Sequence, residues 1–165
     1  MQLPRTGHPS HSTHLLTTDL AQTLACSLIL SRIDYCNAVL HGAPTYTIRT
    51  LQRAQNNAAR IVLQAPRRSH ATPLLNTLHW RPVQQRIDYK MALLTFKVRS
   101  TSMPSYLHRL LQDREDVHNL RRRSATPALC RPSTKTTIAK RAFRCTAPAI
   151  WNSLPKTVLG ILHRF

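Results

Sequence analysis

The sequence predicts a mainly α chain, a small helical bundle followed by a basic, partly irregular tail with a short terminal helix. Three observations carry this expectation. Only three glycines stand against eleven prolines in 165 residues; strand-and-turn folds draw on glycine for their turns, whereas prolines separate helices. Hydrophobic residues make up 42%, enough to bury a core. Through about residue 112 they recur every three or four positions, the period of one helix face, with prolines between the periodic stretches. The expected organisation is a polar tail over 1–13, the bundle over 14–112 and a basic carboxyl-terminal extension over 113–165.

The tail carries His8, His11 and His14 at three-residue spacing. No helix signal holds them on one face, so no metal site is assigned to them. A first helix is expected from about Thr18 to Leu40, with Leu16, Leu20, Leu24, Leu28, Ile29 and Ile33 as its buried stripe. Asp19 suits its first turn, and Gly42-Ala43-Pro44 end it. A second helix starts near Thr45 or Thr47 and closes before Pro66. Ile48, Leu51, Gln55, Ala58 and Val62 fall on its inner face, with Arg49, Arg53, Asn56, Asn57 and Arg60 opposite.

Residues 69–82 read as a connector with a helical turn near Pro73–Leu78. Pro82 opens a third helix with Val83, Ile87, Met91, Leu94 and Val98 inward, and Arg86, Lys90 and Lys97 lie away from that face. Pro104 opens a shorter fourth helix with Tyr106, Leu107, Leu110 and Leu111 as its apolar side. Residues 113–140 read as irregular, with a short strand near Ala128–Arg131. A last helix is expected from Pro148 toward Leu154, capped by Thr146.

Charge sets the class of partner. There are 24 Lys and Arg against 6 Asp and Glu, a formal net charge of +18, and past Val117 no acidic residue occurs. A polyanion relieves that self-repulsion, and each phosphate contact releases counterions. Arginine's planar fork suits phosphate. The backbone-contact candidates are the stripe Arg49, Arg53 and Arg60 at spacings of four and seven, then Arg67 and Arg68, then the run Arg121, Arg122 and Arg123. None of these reads base sequence by itself.

Other chemistry finds no support in the residues. Metal-dependent phosphoryl transfer needs clustered carboxylates. Asp19, Asp34 and Asp88 stand singly on expected helices, and Asp113, Glu115 and Asp116 sit beside arginines as local charge balance. No phosphate-binding glycine loop, nucleophile elbow or zinc-protease motif occurs. Cys36 and His41 lack an evident orienting group. Cys26, Cys36, Cys130 and Cys145 form no CxxC pair and read as reduced thiols of an intracellular protein, in nucleus or cytoplasm. The most apolar stretch carries Asp19, Arg32 and Asp34, so no membrane span is expected. No catalytic residue, metal site, cofactor or small-molecule substrate is assigned. Trp80 and Trp151 read as core anchors, with base stacking as the sharper alternative.

Several segments, taken in order, resemble one family. They are LSRIDYCN at Leu30–Asn37, LHGAP at Leu40–Pro44, LQRAQNNAAR at Leu51–Arg60 and HATPLL at His70–Leu75. LHWRPV at Leu78–Val83, RIDYK at Arg86–Lys90, KRAF at Lys140–Phe143, Ala147-Pro148 and WNSLP at Trp151–Pro155 follow. This series resembles the region after the polymerase palm in non-LTR retrotransposon reverse transcriptases of the jockey and chicken-repeat type, over residues 14–158. The resemblance implies a thumb-like bundle that grips the RNA/DNA template–primer duplex. It implies a parent RNA-directed DNA polymerase that needs Mg2+, whose catalytic aspartates lie in a palm outside this chain. The fragment itself is then no enzyme. Arg81 and Ala139 depart from the family pattern, which favours an apolar residue and a glycine there. Two alternatives stay open: a degenerate open reading frame, and a host-adopted helical module that binds another protein.

Overall fold

The computed structural model describes residues 16–114 and 128–155. The described residues are mainly helical: α1 Thr18–Ala25, a π-helical turn Cys26–Leu30, α2 Ser31–Asp34, a 3-10 turn Asn37–Leu40, α3 Thr45–Val62, α4 Ala71–Thr77, α5 Val83–Thr101, α6 Ser105–His108, α7 Thr137–Lys140 and α8 Phe143–Ser153. The chain divides into two compact units. One takes the described residues through Tyr35 together with Arg49–Val83, and the other takes Cys36–Ile48 together with the described residues from Gln84 onward. Residues 128–155 thus belong to the same unit as most of α5.

In the first unit, Thr17 caps α1 by accepting the Leu20 N–H at 3.4 Å. The helix then loosens. The Ser31 N–H reaches back five residues to the Cys26 carbonyl, and the Ser27 and Ser31 hydroxyls donate to the Leu24 and Ser27 carbonyls. One extra residue in a turn rotates the rest of the helix by about 100°, the angle one residue occupies in an α-helix. Ala25, Leu30 and Ile33 consequently share the buried side. The leucine stripe expected to be buried is not: Leu20, Leu24 and Leu28 are exposed. The helix also stops at Asp34 instead of Leu40, because Cys36 adopts a left-handed φ of 52°.

On α3, Gln55, Ala58, Ala59 and Val62 are buried, as the amphipathic pattern requires. Its end is a Schellman closure: Gln64 takes φ 51°, the Gln64 N–H reaches the Ile61 carbonyl and the Ala65 N–H the Arg60 carbonyl. α4 ends the same way through His79 (φ 56°), with Trp80 N–H to Leu75 O at 2.8 Å and His79 N–H to Asn76 O at 3.0 Å. Two glutamines of α3, the buried Gln55 and the half-buried Gln52, hold the turn into α5. Gln55 Nε2 donates to the Arg81 carbonyl at 2.9 Å, and Gln52 Oε1 accepts the Val83 N–H at 2.9 Å. That N–H belongs to the first turn of α5 and has no partner within its own helix.

In the second unit, α5 buries Ile87, Met91, Thr95 and Val98. The Thr146 hydroxyl of α8 lies 3.8 Å from the Met91 sulfur. Leu129 and Trp151 form a buried cluster, with Phe96, Leu111 and Leu154 packed against it. The segment around Leu129 is held on two sides. It forms an isolated antiparallel bridge with Asp113, and Asn152 clasps the Leu129 backbone with both amide atoms at 2.9 Å. The last helix begins at Phe143, five residues before the expected start, and carries Pro148 inside it. Thr146 is therefore a buried helical residue and not the cap. A further helical turn, α7, lies where irregular chain was expected; Thr136 caps it, accepting the Ala139 N–H at 3.2 Å.

Candidate nucleic-acid interface

α3 holds no acidic residue. Its inner face is fixed by burial of Gln55, Ala58 and Val62, so the helical period sends Arg49, Arg53 and Arg60 to the opposite side within about 40° of one another. The three positions span about 16 Å along the axis at about 1.5 Å per residue. Arg49 and Arg53 are exposed. Among the described residues, no ion pair engages either of them.

Arg60 sits differently from the other two. It is half-buried. Its Nε and Nη2 donate to the Ser69 carbonyl at 3.2 and 3.0 Å, and Nη1 donates to Asn57 Oδ1 at 3.1 Å. The guanidinium fastens the loop after α3 back onto the helix. Within that loop the Ser69 N–H closes a turn onto the Pro66 carbonyl at 2.9 Å, and this turn carries Arg67 and Arg68, both exposed. Arg60 is thus a positioning residue for the next two cations. Arg49, Arg53, Arg60, Arg67 and Arg68 all belong to the first unit. Arg121, Arg122 and Arg123 lie outside the described residues, as do His8, His11 and His14.

The second unit repeats the spacing. Arg86, Lys90 and Lys97 stand four and seven apart on α5, and Lys90 and Lys97 are exposed. The sequence shows that interval, but burial alone identifies the two lysines that reach solvent. Arg99 does not join them. Its Nη2 pairs with Asp113 at 3.0 Å and its guanidinium stacks over the Trp151 ring at 5.1 Å. Trp80 and Trp151 are both buried, which answers the stacking alternative in favour of core anchors.

The remaining titratable groups are dispersed. His41 Nε2 lies 3.8 Å from Asp88, whose carboxylate also accepts from Gln84 at 2.9 Å. The four cysteines are unpaired. Among the described residues, no three metal-ligating side chains come together, and no helix is long and apolar enough to cross a membrane.

Compared with known proteins, the chain matches no family model, no curated protein and no solved structure.

Proposed function

We propose that the chain is a post-palm piece of a retrotransposon RNA-directed DNA polymerase. Its residual role is sequence-nonspecific binding of the RNA/DNA template–primer backbone, with no catalysis of its own. The family part of this reading rests on the ordered motifs from Leu30 to Pro155. The binding part rests on one observation: α3 buries one face and presents Arg49 and Arg53 on the other, in a helix without acids. The Arg67-Arg68 turn, tied to α3 through Arg60, extends the cationic surface.

An RNA–DNA hybrid titrated at increasing salt tests the binding. If the exposed arginines Arg49, Arg53, Arg67 and Arg68 each neutralise one phosphate, log affinity falls against log salt with a slope of about −3 to −4, or roughly a hundredfold between about 50 and 200 mM. The double variant Arg49→Glu/Arg53→Glu abolishes most binding and flattens the slope, with unchanged helicity by circular dichroism because both side chains are in solvent. A salt-independent affinity, or wild-type affinity in the double variant, rejects this interface.

A further inference from the structure

We propose that the solvent face of α5 binds an unpaired strand of nucleic acid, with a base stacked on Tyr89 and the adjoining phosphates on Lys90 and Lys97. The large aromatic side chains divide by environment. Trp80 and Trp151 are buried, whereas all 4 tyrosines are exposed: Tyr35 by 80%, Tyr46 by 73%, Tyr89 by 68% and Tyr106 by 67%. Tyr89 stands on the long helix α5 beside two exposed lysines. Among the described residues no hydrogen bond or ring contact engages Tyr89, and no ion pair engages Lys90 or Lys97.

Burial of Ile87, Met91 and Val98 fixes the inner side of α5. The helical period then sets Tyr89, Leu93, Lys97 and Lys90, in that order, within about 100° of arc. All are exposed except the half-buried Leu93. Asp88, the acid of α5, falls about 160° or more from both lysines, on the flank where His41 and Gln84 engage it. The face therefore joins cations to an apolar strip that ends in an exposed ring, and that combination selects the strand. In a duplex the base faces are already stacked, so an exposed ring has only backbone to meet. An unpaired base offers a free π face, and aromatic stacking beside cations holds unpaired strands without sequence preference. An acidic peptide would satisfy the lysines, but the negative face of the ring repels carboxylates. This face belongs to the second unit and the arginines of α3 to the first, so the inference does not rest on the α3 interface.

Two probes test this: a single-stranded oligothymidine of about 10 nucleotides and an abasic strand of the same length. They carry equal phosphate charge and differ in their bases. At one salt concentration the full chain is expected to bind the oligothymidine about tenfold or more tighter. Tyr89→Ala removes that preference and leaves the salt slope unchanged, because stacking releases no counterions. Tyr89→Phe keeps the preference. Lys90→Glu with Lys97→Glu weakens binding of both strands and flattens the slope. Helicity is unchanged in each variant, since the side chains replaced are in solvent. Affinity for the RNA–DNA hybrid stays at the wild-type value in Tyr89→Ala, which separates failure here from failure of the α3 interface. Equal affinity for the two strands overturns the proposal, as does a base preference that survives Tyr89→Ala. So does a hybrid weakened by Tyr89→Ala as much as the single strand. An oligoglutamate weakened equally by Tyr89→Ala also overturns it, in favour of an acidic peptide.

Discussion

Cys36, Gln64, His79 and Ser102 each hold a left-handed φ, the region that favours glycine. Gly42 is the glycine that adopts it among the described residues, at φ 71°. A Cβ there would lie 3.1 Å from Cγ of Arg141, whose guanidinium reaches the Val39 carbonyl at 3.5 Å. Gly42 is therefore fixed chiefly by its backbone, since the exposed Arg141 side chain can yield a few tenths of an ångström. Gly42→Ala is expected to lower stability by about 1–2 kcal/mol, whereas His79→Gly, at an exposed helix closure, is expected to raise it by up to about 1 kcal/mol. Thermal denaturation of the two variants against the parent checks both signs.

At the scale of elements, polar side chains join segments distant in sequence. Gln52 and Gln55 bind the turn into α5, and Asn152 clasps Leu129. Arg60 closes the loop that carries Arg67 and Arg68. Arg60→Ala is expected to lower stability by about 1–2 kcal/mol, because it leaves the half-buried Ser69 carbonyl without its charged donor. Arg49→Ala and Arg53→Ala should stay within about 0.5 kcal/mol. Urea denaturation separates the three, and a stability loss at Arg49 equal to that at Arg60 would contradict the positioning role. The periodicity of α3 and α5 is legible in the sequence because each buries one continuous stripe. The first helix departs from its sequence pattern because the expected stripe assumes an unbroken 3.6-residue period. Before the π turn it is Ala25, and not Leu20 or Leu24, that is buried; the π turn then changes the period, so Leu30 joins Ile33 inward and Leu28 stays out.

Across the whole molecule, a formal charge of +18 works against compaction. Stability and hybrid binding should therefore respond to salt in opposite directions. The thermal midpoint of the free chain is expected to rise by several degrees between about 50 and 500 mM salt as self-repulsion is screened, while affinity for the hybrid falls. Thermal scans run without ligand, beside the binding titrations, check the first half of that statement.

The sequence by itself determined the helical class, the cationic face of α3 and the inner face of α5. Each is a local matter of residue type and spacing. Tertiary structure decided which cations remain available. Arg49, Arg53, Lys90 and Lys97 reach solvent, Arg60 holds a loop and Arg99 lies between Asp113 and Trp151. It also decided that the chain from Ala128 to Pro155 packs with α5, since Thr146 meets Met91, Phe96 packs against Leu129 and Trp151, and Arg99 lies over the Trp151 ring. It left the leucines of the first helix exposed as well. A helical period shows that residues share a side, but which side is buried depends on the helices packed against it and on the turn geometry between.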